Sequence, residues 1–159
     1  MTANRDTILQ KLSETEPVLV RLVSGLNDRQ LDFRPEPDAW STREILAHFV
    51  DDEMYVMRVR LERIIKEERP DLAPHDEKRW FADRNKTRDS LEHLLADFAL
   101  QRSASLGMMR MLREEDWQRK GFQPEYGEFT AEQWIGHWLE HDTVHLRQIE
   151  HNLAQHSNH

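Results

Sequence analysis

Apolar residues recur with a helical period along almost the whole chain. The pattern predicts four amphipathic helices, over residues 5–26, 42–68, 87–113 and 131–154. Strand-like alternation is absent, and the chain contains only five glycines. The pattern therefore predicts an all-α protein, which we expect to fold as an up-down-up-down four-helix bundle.

The connections contain residues that interrupt helices. Pro17 lies inside the first segment and is expected to kink it or shift its start, and Pro70 ends the second segment. Trp80 and Phe81 follow, and we expect them to pack against the core. An irregular stretch before the last helix is marked by Gly121, Pro124 and Gly127. The final residues, 155–159, are expected to fray.

Two of the helix starts carry strong capping signals. Ser41 with Glu44, and Thr130 with Gln133, each match a capping box. Hydrophobic staples accompany both boxes, pairing Trp40 with Ile45 and Phe129 with Trp134. A fixed start fixes the rotation of the helix that follows. Good caps also stabilise helices by about 1 kcal/mol without any functional role.

These two helices carry the histidines of interest. At about 100° per residue, His145 falls within the apolar stripe of the last helix, His141 falls at its edge, and His137 turns towards solvent. His48 lies at the margin of the inner face of the second helix. Three imidazoles of this kind could hold a metal ion with an open coordination position. A histidine on an apolar face is also a common core residue, and nine histidines make chance pairs frequent.

Whether the three histidines can meet depends on the axial positions of the two helices. His48 lies roughly 10 Å along the axis from its cap, and His141 and His145 lie roughly 16 and 22 Å from theirs. The second and fourth helices of an up-down-up-down bundle run in the same direction, so a stagger of about two turns would bring the histidines level. The remaining histidines are interpreted as surface residues: His75, His93, His151, His156 and His159.

Composition and charge restrict the classes of function. A net charge of -8 disfavours a nucleic-acid partner, which requires a basic surface. No apolar run is long enough to span a bilayer and the start of the chain has no signal-peptide core, so we expect a cytoplasmic protein with no membrane partner. We see no internal repeat, and predict a single domain over residues 1–159. Cysteine is absent, so a metal would have nitrogen and oxygen ligands, and any thiol would come from a substrate.

Two blocks of sequence resemble the DinB superfamily. They are WSTREILAHFVDDE over residues 40–53 and HDTVHLRQI over residues 141–149, and the intervening LREEDW over residues 112–117 also fits. The resemblance implies a four-helix bundle, often a homodimer, with a divalent metal held by one histidine of the second helix and two of the fourth. In this chain those residues are His48, His141 and His145, and zinc or nickel is the metal that the resemblance implies.

The resemblance leaves the reaction open. Relatives include bacillithiol-dependent transferases and mycothiol-dependent isomerases, so a low-molecular-weight thiol is one expected partner. A divalent ion held by three neutral imidazoles would acidify a bound water or thiol, which predicts either a hydrolase or a thiol S-transferase acting on a small molecule. The alternatives are a metal-binding protein without catalysis, related to stress, and a helical dimer whose histidines are incidental.

Several polar residues could support such a site. Asp52 lies one turn after His48 on the inner face and is the candidate base or metal-supporting carboxylate. Asp142 also projects towards the apolar stripe, whereas Glu53 rotates away from His48. Gln148 is a weaker polar candidate three residues after His145. For the three carboxylates, a solvated or capping role is the simpler interpretation.

Overall fold

The computed structural model describes residues 2–79 and 89–158, which are mostly helical. Its elements, in chain order, are α1 (Thr2–Val23), α2 (Asp28–Asp32), α3 (Thr42–Asp52), a π turn (Glu53–Met57), α4 (Arg58–Lys66), α5 (Leu91–Arg110), α6 (Glu114–Trp117), β1 (Lys120–Gln123), β2 (Gly127–Thr130) and α7 (Ala131–Ser157). The predicted all-α four-helix bundle is confirmed, with α1, α3–α4, α5 and α7 as its helices. Trp80, Phe81 and the first residues of the predicted third helix lie outside the described residues.

Proline 17 does not change where the first helix begins. α1 starts at Thr2 and continues through Pro17 to Val23, so the expected shift of its start does not occur. Among the described residues, no helix is both long and apolar enough to cross a bilayer.

The direction of the second helix relative to the last requires a correction. Near the start of α3, Asn152 Nδ2 donates to the backbone oxygen of Trp40 at 2.9 Å. Past the π turn, Trp134 Nε1 donates to the backbone oxygen of Met57 at 3.0 Å. The low-numbered end of α3 therefore meets the high-numbered end of α7. The two helices run antiparallel, whereas the up-down-up-down order would make them parallel.

The directions of the other helices follow from hydrogen bonds between them. Arg43 bonds the backbone of Asp89 and Arg58 bonds that of Gln101, so α3–α4 and α5 run in the same direction. α1 and α7 are also parallel, as shown by the bonds of Arg5 to Glu132 and of Thr15 to Asp142. The order is thus up-down-down-up. Two parallel neighbours need a long connection, and residues 67–90 supply it.

The two predicted helix starts are confirmed. Ser41 accepts from the backbone N–H of Glu44 at 3.2 Å, and the Glu44 carboxylate accepts from the backbone N–H of Ser41 at 2.9 Å. Thr130 and Gln133 form the same reciprocal pair at the start of α7. These bonds satisfy N–H groups that have no partner within the helix, and they fix the rotation of both helices.

The stretch predicted as irregular forms a β-hairpin. β1 and β2 pair antiparallel, from Lys120 opposite Thr130 to Gln123 opposite Gly127. The connection that leaves α4 adds to the edge of this hairpin, where the backbone N–H of Leu72 donates to the oxygen of Phe122 at 2.7 Å. Strands of four residues are too short to show a reliable alternation in sequence. The hairpin holds the connection against the bundle.

Glycine 121 allows β1 to lie close to α4. A Cβ at this position would lie 2.9 Å from Cγ1 of Ile64, which is fully buried. We expect Gly121→Ala to lower the free energy of unfolding by about 1–3 kcal/mol, because the added methyl overpacks the core. Gly107 lies in α5 with open space around its Cα, so Gly107→Ala should instead raise the free energy of unfolding by up to about 1 kcal/mol. Urea unfolding of the two variants measures both effects, and equal values for them would contradict the packing argument.

Candidate metal centre

The structure brings together the three histidines that sequence analysis selected. Nε2 of His48 lies 3.1 Å from Nε2 of His141. The ring of His145 lies 4.5 Å from that of His48 and 4.4 Å from that of His141, measured between centroids. Each ring offers one nitrogen to a group whose ligand atoms lie within 4.8 Å of one another. Antiparallel helices allow this without the stagger that parallel helices would have needed.

Burial keeps two of these rings neutral. His48 is 5% exposed and His145 is 8% exposed. Burial lowers the pKa of His48 to about 3, although the charge of Asp52 acts in the opposite direction. Burial, together with the nearby His141, lowers the pKa of His145 to about 4. Both rings therefore present an unprotonated nitrogen at neutral pH, which is the form that binds metal ions.

The ring of His145 is held in a defined orientation. Its Nδ1 lies 2.7 Å from Oε1 of Gln148, an acceptor, so Nδ1 carries the hydrogen and Nε2 carries the free lone pair. Trp40 stacks on the same ring with an interplanar angle of 13° and a centroid distance of 6.0 Å. Gln148 thus orients a histidine, which is the usual role of an outer partner of a metal ligand.

Two carboxylates face the histidines. Oδ2 of Asp52 lies 3.2 Å from Nε2 of His141 and 3.4 Å from Nε2 of His48, and Oε1 of Glu77 lies 3.4 Å from the same His48 nitrogen. Burial opposes ionisation of Asp52, but the hydrogen bond with His141 and the proximity of His48 lower its pKa. Burial and the charge of Asp52 raise the pKa of Glu77.

Glu77 and His75 were not identified from the sequence. Both lie between α4 and α5, where His75 is in an irregular stretch and Glu77 begins the helical residues 77–79, so neither belongs to the apolar pattern of the predicted bundle helices. The His75 side chain is 26% exposed and its Nε2 lies 3.7 Å from Oδ1 of Asp52, so its interpretation as a surface residue was wrong. His137 is 40% exposed and lies beside the rings of Tyr126 and Trp134, outside the triad as predicted.

Glu53 and Asp142 do not join the histidines. Both bind the buried guanidinium of Arg102, at 2.8 Å and 2.6 Å, and Asp142 also accepts from Thr15 at 2.7 Å. The prediction that Glu53 turns away from His48 is confirmed, and it also accepts a bond from Trp138 Nε1 at 2.8 Å. These carboxylates are structural.

Two cavities meet at His145. One, of about 390 Å³, is lined among others by Asp52, Met57, Arg60, Tyr126 and His141. The second, of about 650 Å³, is lined among others by Pro35, Trp40, Ile45, Arg147 and Asn152. They share Glu77, Val144 and His145. The candidate site is therefore accessible to small molecules from two sides of the His145 ring.

The donor set suits a divalent transition metal. Three imidazoles with nearby carboxylate oxygens match the nitrogen and oxygen ligands of zinc and nickel, and three protein ligands leave room for a further group. A second combination among the described residues, His48, Asp52, Glu77 and His141, also brings its ligand atoms within 4.8 Å. Both combinations contain His48 and His141, so the cluster fits an ion at this place.

Comparisons with known proteins agree with this fold. A protein of Oceanobacillus iheyensis named as a candidate metal-dependent hydrolase is 28% identical over 141 residues, covering 89% of this chain and 81% of its own. YfiT of Bacillus subtilis, named in the same way, is 25% identical over 91% of this chain and 82% of its own. YuaE of Bacillus subtilis, whose name states no activity, is 31% identical over 80% of this chain and 86% of its own.

The structural comparison gives the same result. The structure of YfiT covers 99% of this chain and 90% of its own, with a TM-score of 0.89 and 24% identity. It is described as having an unusual four-helix bundle topology. Residues 11–149 match the sequence pattern of the DinB superfamily. This match includes the helical residues of both histidine blocks and reaches into all four helices of the bundle, and the chain therefore belongs to the DinB superfamily.

Proposed function

We propose that this protein is a metal-dependent hydrolase whose divalent ion, zinc or nickel, is held by His48, His141 and His145. The observation that carries the proposal is the convergence of three imidazoles, two of them buried and neutral, beside the carboxylate of Asp52. The relatives named as candidate metal-dependent hydrolases support the same class of reaction.

The ion would supply Lewis acidity, which favours ionisation of a water nucleophile and polarises a carbonyl group. The chain supplies the remaining functions. Gln148 holds the His145 ring so that Nε2 faces the cluster. Oδ2 of Asp52, beside Nε2 of both His48 and His141, is placed to accept the proton of the nucleophile. The cavity of about 390 Å³ would position the substrate against these groups.

A specific observation also supports thiol S-transfer as a second candidate. Transfer to an electrophile needs space for two substrates, and two cavities share His145 and Glu77. The larger one has the apolar residues Trp40 and Ile45 in its wall, which would suit an apolar electrophile. Since the chain has no cysteine, the thiol would be a substrate.

Replacing the carboxylate of Asp52 tests the proposed chemistry. We expect Asp52→Asn to lower kcat by about 100-fold or more at saturating metal, because the amide cannot accept the proton. The assay uses protein purified without nickel resin and loaded with zinc or nickel. An ester and amide panel measures hydrolysis, and a thiol with an electrophile measures transfer.

Glu150 provides the matched control. Its side chain is exposed and lies on the same helix as His141 and His145 but lines neither cavity, so Glu150→Gln also removes one negative charge while leaving the three histidines and the cavity walls unchanged. We expect this variant to keep the wild-type kcat. Equal turnover by Asp52→Asn and wild type would exclude Asp52 as the proton acceptor. Full metal loading without turnover on either panel would favour a non-catalytic metal-binding protein.

A further inference from the structure

Arg60 lies in the wall of the smaller cavity, which also contains Asp52 and His141. One of its nitrogens, Nη2, donates to the backbone oxygen of Ala73 at 2.8 Å. Its guanidinium carbon lies 5.3 Å from the centre of the Trp134 ring, within cation–π distance. These two contacts hold the side chain in place, and most of its N–H groups have no acceptor among the described residues.

The π turn explains why Arg60 faces this cavity. Arg60 follows Asp52 by eight residues, and a regular α-helix would separate their directions by about 80°. A π turn acts as an insertion of one residue, which turns the following residues back by about 100° and leaves the two side chains within about 20° of each other. The turn spans Glu53–Met57, between the two residues. Such turns occur often at functional sites.

Arg60 has no anionic partner among the described residues. Arg63, one turn later, pairs with Glu67 at 2.7 Å, whereas no carboxylate of the described chain lies within 4.0 Å of Arg60. Burial lowers the pKa of Arg60, and the nearby Tyr126, Asp52 and Glu125 offset this only in part. A half-buried cation without a paired anion gains free energy when a ligand supplies one.

We propose that Arg60 binds a carboxylate group of the substrate in the cavity that is also lined by His141 and His145. A guanidinium presents paired N–H donors that match the two oxygens of a carboxylate. A phosphate is disfavoured, because its second negative charge would face Asp52, Glu77 and Glu125 in the wall of the same cavity. This inference rests on the proposed function for the reaction that follows binding. The binding of a carboxylate by Arg60 does not itself require the metal.

Binding of a simple aromatic acid tests the subsite. Benzoate carries a carboxylate, and benzamide has the same shape without the charge. Calorimetric or NMR titration of both compounds uses the full-length protein, once with the metal removed by a chelator and once loaded with zinc. The chelated protein has no metal ion that could bind benzoate, so binding to it reports on Arg60 alone. The metal proposal can therefore fail while benzoate still binds, and the Arg60 proposal can fail while the metal still binds.

The variants are Arg60→Gln and, as the matched control, Arg63→Gln. Arg63 lies on the same helix and also bonds the backbone of the connection, at the oxygen of Asp71. We expect Arg60→Gln to weaken benzoate binding by about tenfold or more and to leave benzamide binding unchanged. Arg63→Gln should bind benzoate as the wild type does.

The inference is overturned if the wild type shows no saturable benzoate binding at tens of millimolar in the chelated protein. Equal benzoate affinities of wild type and Arg60→Gln, or an equal loss in Arg63→Gln, also overturn it. Circular dichroism checks that the variants fold. Should Arg60→Gln not fold, Arg60→Lys takes its place, since lysine keeps the charge but lacks the paired donors, and an intermediate loss is then expected.

Discussion

Replacing His141 with alanine is expected to abolish stoichiometric metal binding. His141 belongs to both combinations of residues whose ligand atoms converge, so its loss disrupts each of them. Structural zinc sites contribute roughly 10–16 kcal/mol, and about a quarter of that for one ligand, roughly 2.5–4 kcal/mol, corresponds to a loss of affinity of roughly 60- to 700-fold. Plasma mass spectrometry on protein purified without nickel resin, followed by competition with a chelating dye, measures the change.

His137→Ala is the matched control for this experiment. His137 lies one helical turn before His141 and contributes to the same cavity, but its side chain is 40% exposed and outside the triad. We expect this variant to bind one ion per chain with the wild-type affinity. Metal bound at full stoichiometry in His141→Ala, or an equal loss in His137→Ala, would rule out the three-histidine centre.

The sequence predicted the histidine positions because they depend on local rules. Capping boxes at Ser41 and Thr130 fix where α3 and α7 begin, and the helical period then fixes which residues face inwards. His48 and His145 were placed correctly by this reasoning. Gln148 was noticed for the same reason, since it lies one turn from His145. None of these steps needs knowledge of how the helices are arranged.

Features that depend on long-range contacts were missed. The helical period is the same for either direction of a helix, so it could not show that α3 and α7 are antiparallel. Glu77 reaches His48 from a connection held by backbone bonds to the β-hairpin, and no sequence period describes that path. Arg60 was missed because a regular helix would turn it away from Asp52, and the π turn has no recognised sequence signal.

The buried arginine of α5 is expected to be the most destabilising position for substitution. Arg102 is 2% exposed and binds Glu53, Asp142 and the backbone oxygen of Leu12, which ties all four bundle helices together. Burial opposes its charge, but the two carboxylates outweigh this and raise its pKa. The charge therefore persists at every pH at which the protein is folded.

We expect Arg102→Ala to lower the free energy of unfolding by about 3–5 kcal/mol, because it leaves two buried carboxylates unpaired. Domains of this size are stable by roughly 5–15 kcal/mol, so the loss is a large part of the total. Urea unfolding measures it. Lys66→Ala, which removes the exposed ion pair with Glu62, should leave the midpoint unchanged, and a similarly small effect of Arg102→Ala would contradict the argument.

A combined variant separates lost pairing from lost packing. Arg102→Met with Glu53→Gln and Asp142→Asn removes all three charges while keeping similar volumes, and we expect it to recover much of the stability lost in Arg102→Ala. The network also adjoins the metal centre, because Glu53 follows Asp52 and Asp142 follows His141. We expect it to help hold the rotation of the two helices that carry the proposed ligands. We expect the metal affinity of the combined variant to fall by about tenfold although every histidine remains, because the helices that carry the histidines would be held less firmly.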